Sequence, residues 1–295
     1  MVEAKMVDNS RVKSRSQLVS VWNRFKKNKL AIIGLILLFL LILLAIFAPL
    51  FADYEQDAIK QNMKNRFQFP NKDHIFGTDQ YGRDVFARII FGSRISLSMG
   101  LITVIFSLAI GTVIGSAAGY YGGKIDNAIM RIMDVFLAIP EMLMAISIVA
   151  ALGSGMANLL IAMVISNVPK FSRIVRSSIL SIVNQEFVDA AKACGAIDRR
   201  IILRHIIPNA IGPIIVQATL SIAQIIINIS SLSFLGLGVK PPAPEWGTML
   251  AEGKTQMMYY PYLVIIPGLA IVITVTALNL VGDGLRDALD PKLKN

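Results

Sequence analysis

The chain has 295 residues, of which 55% are hydrophobic and only 16% are charged. A soluble domain carries about 25% charged residues, so this composition excludes an ordinary soluble fold and indicates an integral membrane protein. The single cysteine excludes an internal disulfide, and the net charge of +10 does not indicate nucleic-acid binding, since basic residues also concentrate in the cytoplasmic loops of membrane proteins.

Residues 1–29 are polar and basic and form a predicted cytoplasmic tail. Toward its end, four apolar residues share one side of a helix: Leu18, Val21, Trp22 and Phe25. Lysines follow directly, a pattern typical of a helix that lies on anionic lipid head groups. We therefore predict an amphipathic N-terminal helix at the membrane surface.

Six apolar segments follow, and each is close to the roughly 20 residues that a membrane-spanning helix needs. They are residues 30–51, 97–119, 128–152, 158–179, 211–235 and 262–281. The first is too long for the apolar part of a cleaved signal peptide and is interpreted as a retained span. The predicted fold is an all-α integral membrane protein with six transmembrane helices, an extracytoplasmic segment 52–96, a five-helix core 97–281 and a C-terminal tail 282–295.

The distribution of lysine and arginine sets the predicted orientation. With the N-terminal tail inside the cell, the inner parts of the chain hold eight of these residues at 1–29, two at 120–131, seven at 170–204 and three in the C-terminal tail. The other nine of the 29 fall outside. Because positive charge accumulates on the cytoplasmic side, both termini are predicted to be cytoplasmic.

No segment has the spacing of a nucleotide-binding P-loop, G-x-x-x-x-G-K-[ST]. Residues 247–255, GTMLAEGKT, are the nearest match, but five residues separate Gly247 from Gly253 where the motif has four. We therefore expect the chain to have no ATPase site of its own. We also expect no catalytic residue, no metal site and no cofactor, because the sequence offers no paired catalytic set.

Glu141 is an ionisable residue halfway along the third predicted span, directly after Pro140. A carboxylate at this depth is costly and faces the bundle interior or a wet path. It is either a translocation-path group that meets a cationic part of a solute, or a protonated or hydrogen-bonded glutamate at a turn loosened by proline. Nearer the inner end of the same span, Arg131 and Asp134 are interpreted as a pair, or as side chains that extend to the membrane interface, and not as a proton relay.

The polar stretch 186–207 lies between the fourth and fifth spans and is predicted to form two short cytoplasmic helices. Residues 186–194 favour a helix, and Gly195 suits the left-handed position after a helix end. Asp198 suits the N-cap of a second helix over 199–207. Pro208 then fits the first turn of the next span.

An apolar stripe is predicted along these two helices, formed by Ala190, Cys194, Ile197 and Ile201. Charged residues surround it. Such a stripe on short, rigid helices is typical of a segment that docks into a partner's groove. A helix resting on lipid is the alternative.

The same stretch resembles the EAA loop of ABC-importer permeases, in which Glu-Ala-Ala is followed by a glycine and a proline at fixed spacing. Asp189, Ala190 and Ala191, then Gly195 and Pro208, occupy the matching positions, with an aspartate in place of the usual glutamate. Residues 204–209, RHIIPN, are similar to the form that the loop often takes in the dipeptide and oligopeptide branch.

Three further segments resemble that branch, in the right order along the chain. They are HIFGTDQYGRDVFARIIFGSRISL at 74–97, LSFLGLGVKPPAPEWGTML at 232–250 and NLVGDGLRDALDP at 279–291. One position departs from the pattern, because Ile229 stands where the family often has a glutamate three residues before L-S-F-L. The chain thus resembles the second, C-type permease of importers for dipeptides, oligopeptides or nickel.

The resemblance implies solute import and a set of partners in the cell membrane of a prokaryote. The partners are a homologous permease that forms a heterodimer with this chain, two cytoplasmic ATP-binding subunits and an extracytoplasmic solute-binding protein. The residues expected to couple the chain to the ATPases are Glu186, Asp189, Ala190, Ala191, Gly195, Asp198, Arg204 and Pro208. The expected solute is a di- or oligopeptide, with nickel or another small solute of the same class as the alternative.

A self-contained, ion-coupled secondary carrier that works as a dimer is the alternative from a different functional class. Such a carrier would depend on a titrating group such as Glu141 and could dispense with the 186–207 loop. Copurification with two P-loop ATPases would favour the importer, whereas uptake by the isolated chain in a pH gradient would favour the carrier.

Overall fold

The computed structural model describes residues 17–289, and this part of the chain is almost entirely helical. Its α-helices are α1 (Gln17–Phe25), α2 (Lys29–Ile46), α3 (Ala48–Phe51), α4 (Val85–Tyr121), α5 (Gly123–Leu137), α6 (Glu141–Leu152), α7 (Met156–Leu180), α8 (Glu186–Ala193), α9 (Asp198–Ile201), α10 (Ile207–Phe234), α11 (Trp246–Gly253) and α12 (Tyr262–Leu289). Within residues 17–289, the only β-type pairing is an isolated bridge between Thr78 and Asp84. The predicted all-α fold is confirmed.

Five helices in the described range are long and apolar enough to cross a membrane. They are α2, α4, α7, α12 and a continuous helix, Asp198–Phe234, that joins α9 to α10 through a π-helical turn at Ile202–Ile206. The pair α5 and α6 makes a sixth span if its two parts are counted together. The number of spans therefore agrees with the six predicted apolar segments.

The third predicted span, residues 128–152, is not one straight helix. α5 ends at Leu137, α6 begins at Glu141, and the two helices are bent by 81°. Pro140 explains the break, because proline has no backbone N–H to donate and disfavours helical backbone at the residue before it. The bend places Glu141 in the first turn of a helix instead of in the middle of one.

Both described ends of the chain lie at the same end of the bundle, which we call the terminal end. Phe25 at the end of α1 is buried in one apolar cluster with Ala31 of α2 and Ala288 of α12. The opposite end, formed by residues 52–84 and α11, we call the distal end. α4 runs from the distal end to the terminal end, and α7 packs beside it along most of its length.

α1 forms where the sequence predicts the amphipathic helix. Val21 and Phe25 pack against α2 and α12, whereas Trp22 is 45% exposed. The side chain of Leu18 falls outside the described residues. Part of the predicted lipid-facing side is therefore packed on protein, and contact of α1 with head groups stays a prediction.

Three glycines at four-residue spacing bring α4 into close contact with α7. A Cβ atom at Gly111 would lie 2.7 Å from Cβ of Phe171, and one at Gly115 would lie 2.5 Å from the carbonyl oxygen of Ser172. A Cβ at Gly119 would meet the side chain of Ile179 at 3.0 Å. Small residues in such a row let two membrane helices approach backbone to backbone.

We expect Gly115→Ala to destabilise the protein by about 1–3 kcal/mol, the usual effect of overpacking a tight contact. Gly212 in α10 is a matched control, because a Cβ there meets no atom within 4 Å. Gly212→Ala should be neutral or stabilising by up to about 1 kcal/mol, since alanine favours the helix. Thermal unfolding midpoints in detergent would measure both, and equal midpoints would contradict the packing account.

Buried charges at the distal end hold residues 52–84 against α11. Oε2 of Glu252 accepts hydrogen bonds from Nη2 of Arg83 and Nη2 of Arg88, each at 2.8 Å. Asp79 Oδ2 lies 2.6 Å from Nε of Arg83. Both arginine side chains are only 1% exposed. The charged residues of the 74–97 motif are therefore structural parts of the fold.

The P-E-W-G segment fixes the start of α11. Glu245 is fully buried, and its two carboxylate oxygens accept the backbone N–H groups of Gly247 at 2.9 Å and Thr248 at 2.8 Å. Trp246 is also buried, and its Nε1 donates to the carbonyl oxygen of Ile89 in α4 at 3.1 Å. This end of α11 is thereby fastened to α4, which packs against the other spans.

Candidate functional site

Residues 186–207 project from the terminal end on a rigid apolar base, and we call them the coupling knob. Val188 of α8 and Ile201 of α9 are fully buried in one cluster with Val175 and Ile179 near the end of α7. The same cluster includes Ile206 in the π-helical turn before α10. The knob is thus packed against two spans and cannot move without them.

Gly195 makes the bend of the knob. Its φ is +74°, the left-handed conformation that glycine adopts without strain. The N–H of Gly195 donates to the carbonyl of Lys192 at 2.9 Å, and the N–H of Ala196 donates to that of Ala191 at 3.1 Å. These two bonds form the Schellman arrangement that ends a helix, as the sequence predicted for this glycine.

The second helix of the knob differs from its prediction. Asp198 is the first residue of α9 instead of its N-cap, and its Oδ1 accepts a 2.8 Å hydrogen bond from the Tyr120 hydroxyl of α4. The helix also does not stop before Pro208, because the π-helical turn carries it directly into α10. The wider turn accommodates the proline, whose ring and missing N–H disrupt an ordinary α-helical turn.

The knob carries a small exposed apolar patch among charged residues, and the predicted stripe is only partly correct. Ala190, Cys194 and Ile197 are exposed, and Ile197 is 69% accessible. Ile201 is instead buried inside the chain, because α9 turns this side toward the end of α7. Three of the four predicted stripe residues are therefore available to a partner.

The other predicted coupling residues lie on the same projection. Asp189 is exposed and reaches Lys192 Nζ at 3.4 Å, a surface pair of little energetic weight. Ala191 is half-buried against the apolar base. The remaining exposed members of the set are Glu186, Gly195, Asp198, Arg204 and Pro208.

Glu141 lies where three helices meet. Its Oε1 accepts a 2.9 Å hydrogen bond from Nδ2 of Asn167 in α7 and a 2.8 Å hydrogen bond from Nδ2 of Asn228 in α10. Nε2 of Gln224 in turn donates to Oδ1 of Asn228 at 3.1 Å. A carboxylate and three amides therefore form one polar network among membrane-spanning helices. Sequence reasoning missed the amides, although Gln224 and Asn228 each stand between apolar residues, whereas Asn167 directly follows Ser166.

Two ion pairs connect α5 to α7 near the terminal end. Nε and Nη2 of Arg176 bind the two carboxylate oxygens of Asp126 at 2.5 and 2.6 Å. Asp134 pairs with Arg173 of α7, not with Arg131 as interpreted from the sequence. Asp134 therefore takes its partner from α7 and not from its own helix.

Among the described residues, no group of three or more His, Cys, Asp or Glu side chains is arranged to hold a metal ion. The two candidate regions of the described chain are the projection formed by residues 186–207 and the polar network around Glu141.

Two family models match the chain. Residues 111–295 match "Binding-protein-dependent transport system inner membrane component", and residues 16–70 match "N-terminal TM domain of oligopeptide transport permease C". Together they cover the described residues except 71–110. The first of them includes the coupling knob and the Glu141 network.

Two relatives are similar over almost their whole length. The dipeptide transport system permease protein DppC of Alkalihalophilus pseudofirmus is 49% identical over 281 residues, which is 94% of this chain and 92% of that protein. The glutathione transport system permease protein GsiD of Escherichia coli is 46% identical over 275 residues, which is 92% of this chain and 90% of that protein.

Solved structures share the fold. The MetNI methionine ABC transporter in an inward-facing conformation superposes with a TM-score of 0.56 at 18% identity, covering 69% of this chain and 96% of that one. An amino acid ABC transporter gives a TM-score of 0.52 at 18% identity, covering 68% and 94%. The chain belongs to the family of binding-protein-dependent transport system inner membrane components, the permease subunits of ABC transporters.

Proposed function

We propose that this chain is one of two permease subunits of an ATP-driven importer for di- or oligopeptides. Its membership of the binding-protein-dependent family supports the importer class. The similar permeases DppC and GsiD are named for a dipeptide and for glutathione, and both solutes contain peptide bonds. Nickel remains the alternative solute that the sequence resemblance suggested.

The coupling knob receives mechanical work from two cytoplasmic ATPase subunits. The observation that carries this assignment is the exposed apolar surface of Ala190, Cys194 and Ile197 on a base that is itself buried. When the ATPases close on ATP, the knob moves with them and the path between this chain and a homologous permease opens outward. Hydrolysis resets the path inward, as in other transitions driven by rigid-body motion.

This function requires the terminal end to face the cytoplasm, with both chain termini on that side. The excess of lysine and arginine in the segments at this end supports the orientation. The distal end then faces outward, where an extracytoplasmic solute-binding protein delivers its solute. Glu141 lies between the two ends and belongs to the translocation path.

Cys194 provides a direct test, because it is the only cysteine of the chain and it is exposed on the knob. We expect bound ATPases to slow its reaction with a membrane-impermeant maleimide at least about tenfold, since a docked surface excludes the reagent. The rate would be measured on the intact assembly and again after the ATPases are stripped with urea. In vesicles, labelling from the cytoplasmic face alone would agree with the orientation.

A control variant carries Cys194→Ser and Lys60→Cys, because Lys60 is exposed at the distal end. In detergent its cysteine should react equally with and without the ATPases. Equal reaction of Cys194 in the two states would contradict docking. Uptake by the purified chain alone in a pH gradient would instead support the ion-coupled carrier.

A further inference from the structure

One side of α10 is polar, although the helix spans the membrane. Residues separated by four, three, four and three positions fall on one side of a helix with 3.6 residues per turn. On α10 this set carries three amides and two hydroxyls: Gln217, Ser221, Gln224, Asn228 and Ser231. We call it the α10 polar stripe. Most of the residues around it on the helix are apolar.

The stripe is not sealed inside this chain. Gln224 is exposed and Asn228 is half-buried, so their amides reach the surface of the subunit, whereas Ser221 is buried and supports Gln217 from within the chain. An amide in lipid hydrocarbon without hydrogen-bond partners costs several kcal/mol, at about 4–8 kcal/mol for full transfer to an apolar liquid. Polar residues of spanning helices therefore face the bundle interior or a wet cavity. This side of α10 accordingly faces a polar passage.

The stripe is held in place by weak internal bonds that a solute can replace. Nε2 of Gln217 donates to Oγ of Ser221 at 3.3 Å, and Gln224 donates to Asn228 at 3.1 Å. A neutral hydrogen bond of this kind contributes about 0.5–1.5 kcal/mol net. Replacing these internal hydrogen bonds by equivalent bonds to a solute therefore changes the free energy little, both when the solute binds and when it leaves. Such a site suits a solute in transit more than one that is bound tightly.

Glu141 adds one negative charge beside the stripe. Its Oε1 accepts both asparagine amides, and none of the hydrogen bonds in the described chain uses Oε2. The carboxylate is thus oriented through one oxygen and keeps the other for a ligand. Hydrogen bonds between an ammonium group and a carboxylate are among the stronger ones in proteins.

We propose that the α10 polar stripe binds the main-chain amide groups of a peptide in transit and that Glu141 binds its protonated amino terminus. The inference rests on the proposed import function and deepens it. Side-chain amides offer both a donor and an acceptor, as each peptide group does, so one line of amides can follow a peptide of any sequence. A single carboxylate beside that line favours the end of the peptide that carries the free amino group.

The test uses the assembled transporter in nanodiscs and two photoreactive probes, a diazirine-bearing trialanine and its N-acetylated twin. Covalent attachment to this chain is measured without the solute-binding protein, so that its selectivity does not enter. We expect the free-amine probe to attach about tenfold more than the acetylated one, which corresponds to one charge-assisted contact of about 1.4 kcal/mol. Glu141→Gln should abolish this preference.

Substitutions in the stripe should act differently from the change at Glu141. Gln224→Leu should lower attachment of both probes about equally, because it removes an amide and leaves the carboxylate. Thr219→Val is the matched control, since Thr219 lies on the opposite side of α10 and donates to the carbonyl of Ile215 in its own helix at 3.0 Å. The control should attach both probes as the native chain does.

The assay also separates this inference from the proposed function. Trialanine uptake and ATP hydrolysis stimulated by the loaded solute-binding protein are measured on the same assemblies. If the native assembly shows neither, the proposed function fails. If it shows both but Glu141→Gln keeps the native preference, or Gln224→Leu keeps native attachment and uptake, then only the assignment of the stripe and Glu141 is overturned.

Discussion

Glu252→Ala should destabilise the protein by about 3–5 kcal/mol, the usual effect of removing one partner from a buried ion pair. Glu252 accepts hydrogen bonds from both Arg83 and Arg88 at 2.8 Å, and each arginine is 1% exposed. Without the carboxylate, two guanidinium groups share a buried site with Asp79 as the remaining acid.

The lower stability of the Glu252→Ala variant is measurable as a lower thermal unfolding midpoint in detergent. Glu55→Ala is a suitable control, because Glu55 is an exposed acid in the same distal region. Its effect should stay within about 0.5 kcal/mol, as for most surface substitutions. We also expect proteolysis between residues 52 and 84 to accelerate in the Glu252 variant only, since the cluster fastens that segment to α11. Equal midpoints for the two variants would contradict this role.

Gly195→Leu should leave the protein folded and inserted but reduce ATP-driven uptake about 5–30-fold. The side chain has ample space, because a Cβ at this position meets no atom within 4 Å. The backbone conformation is unfavourable for leucine, because a φ of +74° costs a residue with a Cβ about 1–2 kcal/mol. This energy lowers the population of the native bend, relative to an altered one, by a factor of about 5–30. The bend between α8 and α9 would open, and the exposed apolar residues on the two helices would no longer keep a fixed arrangement for an ATPase to bind.

Gly195→Asn is the matched control, since asparagine tolerates the left-handed region and is found at helix ends. It should keep most of the uptake. The decisive quantity is the amount of solute transported per ATP hydrolysed, which separates uncoupling from simple loss of protein. Native coupling in the leucine variant would show that the bend is dispensable.

The length of the apolar segments was sufficient to predict the all-α membrane fold, because hydrocarbon thickness fixes the length of a spanning helix. Pro140 was visible in the sequence, but the size of the bend depends on how α5 and α6 pack on α7. The same limit applies to Asp198. A residue suited to an N-cap acts otherwise when a neighbouring helix offers a hydroxyl, as Tyr120 does.

The Glu141 network shows a different limit of sequence reasoning. The cost of an intramembrane carboxylate identified Glu141 itself, but its partners come from positions 26 and 87 residues away in the chain. Only the packing of α6, α7 and α10 brings Asn167 and Asn228 to one oxygen. An isolated amide in an apolar run is the signal that could have identified Asn228 in advance.

The unbroken helix from Asp198 to Phe234 makes the knob and the α10 polar stripe two ends of a single lever. At 1.5 Å per residue its 37 residues extend about 55 Å, longer than a bilayer is thick. Under the proposed coupling, a push at one end tilts or rotates the other, and the regular helix is interrupted between them by the π-helical turn at Ile202–Ile206 and by Pro213. Stiffening the π-helical turn should increase the amount of solute transported per ATP hydrolysed. Loosening it should let the ATPases hydrolyse ATP without transport.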